Sequence, residues 1–227
     1  MTALHQTLAA NRRGRDFFLG DLHGLKGTLE RALAARQFDP SVDRVICVGD
    51  LIDRGPESHA CLHLLDQPWF HAVRGNHEQM MIDAWHGGEA DLWYMNGGHW
   101  AAMLSIDTLE GDVALAEAMP VALTVEQPSG PPIGIVHAEY PLRDWDQVDK
   151  AVGHYDTCQQ MLWGRTVLRM GLDQAVKGVR ATIHGHTQLP HPVRLGTALF
   201  IDTGAISGGD LTLDTADGLL AAAASDA

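Results

Sequence analysis

Five short blocks of acidic, amide and imidazole side chains, each beside or close to a glycine, are spread over most of this sequence. They read Gly20-Asp21-Leu22-His23-Gly24, Gly49-Asp50-Leu51-Ile52-Asp53-Arg54-Gly55, Gly75-Asn76-His77-Glu78, Val136-His137-Ala138 and His184-Gly185-His186-Thr187. Three of the five follow a short apolar run: Asp16 to Leu19, Arg44 to Val48, and Trp69 to Val73. A strand ending in a glycine turn delivers its polar residues at its carboxyl end, where open α/β sheets keep their sites. A fold that gathers these blocks must therefore set several strand ends side by side, and the gathered side chains read as a two-metal hydrolase centre.

The stretches between the blocks support that arrangement. Leu25 to Ala35 has the apolar spacing of an amphipathic helix, and Pro56 to Leu65 reads as a second helix with proline near its first turn. The Met-rich stretch after Glu78 is read as a third. Residues 87–100 break the rhythm with two glycine pairs and the cluster Trp93-Tyr94-Met95-Asn96-Gly97-Gly98-His99-Trp100, which reads as an inserted cap or groove wall. From Val121 onward strands dominate: Val121 to Glu126, Ile133 to Val136, Ala181 to Ile183, Ala198 to Ile201 and Leu211 to Leu213. No repeat, low-complexity tract or linker separates the halves, and both carry blocks, so residues 1–227 are expected to form a single α/β domain.

At 227 residues the chain can bury one sizeable core. Its 16 Lys and Arg against 29 Asp and Glu give a net charge of -13, which excludes a broad electrostatic footprint for nucleic acid. An anionic substrate stays open, because bound cations and a few arginines can reverse the sign within one cleft. Cys47, Cys61 and Cys158 are odd in number and widely spaced, which suggests neither a disulfide framework nor a zinc ribbon. No apolar stretch approaches a membrane span and no signal-peptide core follows Asn11 to Arg15. A cytoplasmic protein without membrane or nucleic-acid partners is expected.

The chemistry follows from residue types. Asp21 and His23, two apart in a tight turn, can point to one side and offer a carboxylate and an imidazole to a first-row divalent metal. Asp50 has two oxygens and could bridge two cations, which together clamp the attacking and leaving oxygens of a phosphoryl displacement; an Asp after a strand can equally be a helix N-cap. Asn76 offers a neutral amide oxygen. His77 belongs to the residue type best suited to protonating a leaving oxygen near neutral pH, with Asp53 as a candidate partner to orient it. Arg54, Arg74 and Arg165 could bind phosphate oxygens through guanidinium forks, although solvation is the ordinary state of a surface arginine.

GDLHG, GDLIDRG, RGNHE, VHA and HGHT, in this order from about Phe17 to Gly204, resemble the calcineurin-like metallophosphoesterases. More narrowly they are similar to the phosphoprotein phosphatase branch and its compact bacterial and bacteriophage lambda-type serine/threonine phosphatases. The resemblance implies a four-layer αββα sandwich with a dinuclear metal centre at one edge. It implies Asp21, His23 and the shared Asp50 as ligands of one metal, and Asp50, Asn76, His137 and His186 as ligands of the other. His77 then matches the general acid and Asp53 its partner, while Arg54, Arg74 and Arg165 match phosphate-binding arginines. Two divalent ions are implied, Mn2+ first, with iron or zinc as alternatives.

Many relatives end the last block as Gly-His-x-His, whereas this chain has His186-Thr187-Gln188, which fits the phosphoprotein phosphatase branch. His184 looks ligand-like but matches no ligand position, and a buried or supporting role is expected for it. His59 and His63 have the spacing of a helical metal pair, but the sequence shows no acidic motif near them. The implied activity is hydrolysis of phosphoserine and phosphothreonine monoesters in a phosphoprotein or phosphopeptide, with phosphotyrosine and small aryl phosphates also open. A metal-activated hydroxide would attack phosphorus while His77 protonates the leaving oxygen. The alternatives are a symmetrical dinucleoside tetraphosphate hydrolase, whose members often have Cys where Leu25 stands, and an inactive binding scaffold.

Overall fold

A computed structural model of the chain describes residues 3–223. Among these residues ten strands run in chain order as β1 (His5–Leu8), β2 (Asp16–Leu19), β3 (Arg44–Cys47), β4 (Phe70–Ala72), β5 (Ala122–Val125), β6 (Ile133–Val136), β7 (Ala181–His184), β8 (Val193–Leu195), β9 (Ala198–Phe200) and β10 (Leu213–Thr215). Nine α-helices accompany them among the described residues: α1 (Lys26–Ala35), α2 (Ser58–Leu62), α3 (Asn76–Trp85), α4 (Ala90–Met95), α5 (Ile106–Ala118), α6 (Val148–Gly153), α7 (Tyr155–Trp163), α8 (Thr166–Met170) and α9 (Ala216–Ala222).

The strands form two sheets, one in the order β10-β2-β3-β4 and the other in the order β1-β5-β6-β7-β9-β8. In the smaller sheet β2, β3 and β4 are parallel, and in the larger β6, β7 and β9 are parallel. Each parallel run sets successive strand ends, with the polar blocks behind them, along one edge.

The layering follows from a period of two along each strand. In the smaller sheet Phe17, Leu19, Val45 and Cys47 face α1, α2, α3 and α5, joining Leu29, Leu62, Met81 and Val113 in one core cluster. The intervening Phe18, Ile46 and Val48 face the other way and meet Leu123, Ile133, Ile135, Ile183 and Leu199 of the larger sheet. On the outer face of the larger sheet Ala122 and Val136 pack with Val148, Ala151 and Met161 from α6 and α7. These three clusters make the fold helix, sheet, sheet, helix, as the resemblance implied.

Several expectations shift in detail. The helix expected from Pro56 begins at Ser58 and passes into a 3-10 turn over His63–Asp66. The strand expected at Leu211 to Leu213 lies at Leu213–Thr215. Strand β1 carries no block and no glycine turn to mark it, yet it pairs in parallel with β5 from residue 122 onward, a partner that only the tertiary fold brings to it.

Candidate metal centre

Asp21 lies just past β2, Asp50 just past β3 and Asn76 at the start of α3 after β4, while His137 follows β6 and His186 follows β7. All six expected ligands are buried, none more than 9% exposed. Two ligand clusters share Asp50: His23, Asp50 and His77 on one side, and Asp50, His137 and His186 on the other.

The second cluster is a meeting of ligand-type atoms. His137 donates through Nδ1 to the carbonyl of Val48 at 2.8 Å, which turns Nε2 toward the centre. That Nε2 lies 2.9 Å from Asn76 Oδ1, 3.2 Å from His186 Nδ1 and 3.4 Å from Asp50 Oδ2. His186 Nδ1 is in turn 2.8 Å from Asn76 Oδ1, and its Nε2 is buried without a hydrogen-bond partner. Oxygen and imidazole ligand atoms converging beside a buried ring nitrogen without a partner are what a divalent cation satisfies.

On the other side His23 donates from Nδ1 to the carbonyl of Ile52 at 2.9 Å and presents Nε2 3.6 Å from Asp50 Oδ2. Burial lowers the pKa of both His23 and His186 to about 3, so both rings are neutral near pH 7. Burial pushes Asp50 up, but the facing His137 and His77 rings outweigh it and hold the carboxyl well below its usual range. Asp21 goes the other way: burial and the nearby Asp202 and Asp50 raise it. Buried carboxylates crowd beside the neutral His23 and His186 rings, while the facing Asp50 raises His137 despite its burial, and this donor set fits divalent metal.

Asp202, at 3% exposure, was not anticipated. It accepts from Gly204 N at 2.9 Å and adds its charge to that of Asp21. Its signal was present in Ile201-Asp202-Thr203-Gly204, an apolar strand ending in Asp with glycine two residues on.

Beside the centre His77 donates through Nδ1 to Asp53 Oδ2 at 2.6 Å, so the expected pairing of these residues is present in the structure. Two indoles hold the carboxylate from the far side. Trp93 Nε1 lies 3.1 Å from both Asp53 oxygens and Trp100 Nε1 is 2.7 Å from Oδ1. These tryptophans belong to the segment expected to wall a groove; α4 and the following turn place them against the Asp–His pair. Their role was not legible in sequence, because nothing local says which carboxylate an indole will meet.

Glu78 is the second unanticipated organiser. Its carboxylate accepts from the backbone N–H groups of Gly75 (2.8 Å), Asp50 (3.0 Å) and Leu51 (2.7 Å), which binds the Asp50 loop to the start of α3. Burial and the neighbouring Asp50 push its carboxyl up to about 7, while those N–H donors favour the ionised form. Asp50 Oδ1 also accepts from His77 N at 3.1 Å, so the carboxylate sits at the positive end of the helix. The closeness explains a motif glycine: a Cβ on Gly75 would lie 2.1 Å from Asp50 Oδ1.

The site is also where the backbone is strained. Of the six non-glycine residues with positive φ among the described residues, five are His23, Asp50, Asp53, Arg54 and His186. Such conformations persist where surrounding contacts over-determine them, commonly at functional sites.

The three arginines differ. Arg54 donates to His23 Nε2 at 2.8 Å and to His77 Nε2 at 2.9 Å, spanning the two rings at the mouth of the site. Arg165 is exposed at the start of α8 and its charge reaches His186. Arg74 instead donates to Gln79 Oε1 (3.0 Å) and to the carbonyls of Glu117 (2.8 Å) and Met119 (3.2 Å) at the end of α5. None of its hydrogen bonds reaches the centre. His184 is buried, donating to the Val136 carbonyl at 3.1 Å, accepting from Thr182 Oγ1 at 2.8 Å and stacking on Phe200, which is a supporting role for β7.

Two helix-flanked sheets carrying an Asp- and His-rich centre at their strand ends define a metal-binding phosphoesterase architecture. The sequence profile of the calcineurin-like phosphoesterases matches residues 17–190, and the chain belongs to that family. It is 37% identical over 213 residues to serine/threonine-protein phosphatase 1 of Salmonella typhimurium, covering 92% of this chain and 95% of that one. A symmetrical bis(5'-nucleosyl)-tetraphosphatase of Dechloromonas aromatica is 39% identical over only 74 residues, 32% of this chain and 27% of that one. Among solved structures, one assigned provisionally as a diadenosine tetraphosphatase has the same fold, with TM-score 0.68 and 21% identity over 94% of both chains. The protein is thus similar to phosphatases and a metallophosphoesterase by family. Among the described residues no helix is long and apolar enough to cross a membrane.

Proposed function

We propose that this metallophosphoesterase is a serine/threonine phosphoprotein phosphatase that removes phosphate from phosphoserine and phosphothreonine in proteins or peptides. The observation that carries the reading is the hydrogen-bonded Asp53–His77 pair set 3.9 Å from the shared Asp50 carboxylate, a proton donor beside a metal site. Phosphatase-named sequence similarity over nearly the whole chain, against a sequence match to a tetraphosphatase over 32% of it, supports this substrate class over the dinucleotide; the tetraphosphatase-like solved structure, at 21% identity, speaks to the fold alone.

Two divalent cations, held by Asp21, His23, Asp50, Asn76, His137 and His186, would supply Lewis acidity that acidifies water and neutralises phosphoryl charge; manganese is our first choice. The chain's own groups do the rest. Arg54 turns from the two imidazoles to the phosphoryl oxygens, joined by Arg165 from the rim, each through a guanidinium fork. That turn frees His77 Nε2 to hold a proton for the leaving serine or threonine oxygen. Asp53 keeps the opposite ring nitrogen protonated and fixes the ring plane. Arg74 could join the phosphate only by releasing the α5 carbonyls. A cytoplasmic location, without membrane or nucleic-acid partners, goes with this reading.

The deciding experiment compares kcat/KM of manganese-loaded protein on a phosphoserine peptide and on diadenosine tetraphosphate. Preference for the peptide is expected. Preference for the dinucleotide overturns the substrate class, and no hydrolysis of either, or of p-nitrophenyl phosphate, by folded loaded protein makes the chain a scaffold.

A further inference from the structure

On the helix side of the smaller sheet, outside the centre described above, a second set of ligand-type groups comes together. His59 Nδ1 on α2 lies 2.8 Å and 3.0 Å from the two oxygens of Asp112, and His63 Nε2 lies 3.1 Å from Asp112 Oδ1. Asp112 comes from α5, far away in the chain, and supplies the acidic partner that the sequence did not show beside the histidine pair. Its carboxylate is fully buried, while both rings are about two-fifths exposed, at 42% and 41% for their side chains.

Three ligand-type side chains, rather than the two of an ordinary surface ion pair, bring their donor atoms together here. Asp66 Oδ2 accepts from His63 Nδ1 at 2.8 Å. Both ring nitrogens of His63 thus face a carboxylate, Nδ1 that of Asp66 and Nε2 that of Asp112. A carboxylate that holds the outer nitrogen of a histidine while the inner one faces a vertex is the usual support of a metal-bound imidazole. The donor separations also match those of the Asp50 centre, where His137, Asn76 and His186 lie 2.8–3.2 Å apart. Tetrahedral zinc with bonds of about 2.0–2.1 Å sets its donors about 3.3 Å apart, against the 2.8–3.1 Å that separates Asp112 from the two imidazoles.

We infer that His59, His63 and Asp112 form a separate divalent-cation site, suited to zinc, with Asp66 supporting His63. Two imidazoles and one carboxylate leave a fourth position for water. A cavity of about 500 Å3 adjoins the site, lined in part by His59, His63, Lys26 and Trp69, and gives solvent access to it. A cation there bolts α2, which follows the Arg54 turn, to α5, which follows the segment bearing Trp93 and Trp100. The inference does not depend on which phosphoester the protein hydrolyses.

The test loads the full chain with zinc, removes free metal by desalting, and counts bound zinc by elemental analysis in the parent and in a His59→Ala/His63→Ala variant. The variant is expected to lose one equivalent per chain and to keep manganese-dependent hydrolysis of p-nitrophenyl phosphate. An Asp50→Asn variant is expected to lose metal from the other centre and retain this equivalent, so the two sites are counted separately. Equal zinc in the parent and the histidine variant overturns the inference. Should the double variant not fold, anomalous diffraction at the zinc edge on parent crystals decides alone. A peak between His59, His63 and Asp112 supports the site, and its absence at full occupancy of the Asp50 centre reduces the cluster to imidazole–carboxylate pairing.

Discussion

At the scale of single residues the centre depends on which nitrogen or oxygen each side chain is left with after its supports are made. His77 is held through one ring nitrogen by Asp53, so His77→Asn should leave metal content unchanged while lowering kcat by about 10²–10⁴-fold, the usual worth of a positioned proton donor. Elemental analysis together with steady-state kinetics checks this, and an unchanged kcat on a phosphopeptide removes His77 from the role. The indole of Trp100 donates to Asp53 at 2.7 Å, and losing one hydrogen bond to a charged group costs roughly 1.5–3 kcal/mol. Trp100→Phe, which keeps the ring, should therefore lower kcat by about tenfold or more with little change in KM. Parental kcat in a folded Trp100→Phe protein would show that Asp53 needs no such support.

At the scale of elements the Asp50 loop, the start of α3 and the end of α5 are tied by the side chains of Glu78 and Arg74. Glu78 satisfies backbone donors from two separate segments, and leaving them unpaired in the interior costs about 1–3 kcal/mol apiece. Glu78→Ala should lower the urea midpoint and weaken manganese retention together; a variant with parental stability and metal content would contradict the tie. Arg74 gives the contrasting case. Its hydrogen bonds go to the last carbonyls of α5, so Arg74→Ala should act mainly on stability, whereas Arg54→Ala should act mainly on kcat/KM. A stability loss from Arg54→Ala with unaltered kinetics would reverse these assignments.

At the scale of the whole molecule the buried neutral histidines couple folding to pH. His184 is held by burial at a pKa of about 3, against about 6.5 in an unfolded chain. Between these values the unfolded chain binds a proton that the folded one refuses, so stability is full above about pH 6.5 and is lost as pH falls toward 3. One such imidazole contributes up to about 1.4 kcal/mol per pH unit in that window. Urea unfolding of metal-stripped protein at pH 7.5 and 5 should show the loss, and His184→Phe should reduce it; an equal pH dependence in both proteins would place the effect elsewhere.

Much of this molecule was legible before any coordinates. Strands and glycine turns are local, so the apolar runs Phe17-Phe18-Leu19 and Val45 to Val48, buried on both faces, and the turns that follow are encoded where they occur. The motif glycines are equally local in sequence, but their reason is not. Gly75 is glycine because an Asp50 carboxylate from another loop occupies the space of its Cβ. The sequence by itself determined the succession of strand, glycine turn and helix and which polar residues follow the strands, because period and turn chemistry act over a few residues; the αββα layering was implied by the resemblance of its motifs. The tertiary structure alone decided that Trp93 and Trp100 hold Asp53, that Asp202 joins the carboxylates, that Arg74 caps α5 and that Asp112 meets His59 and His63. Each of these pairs residues distant in the chain, and only the packing of the layers brings a donor to its acceptor.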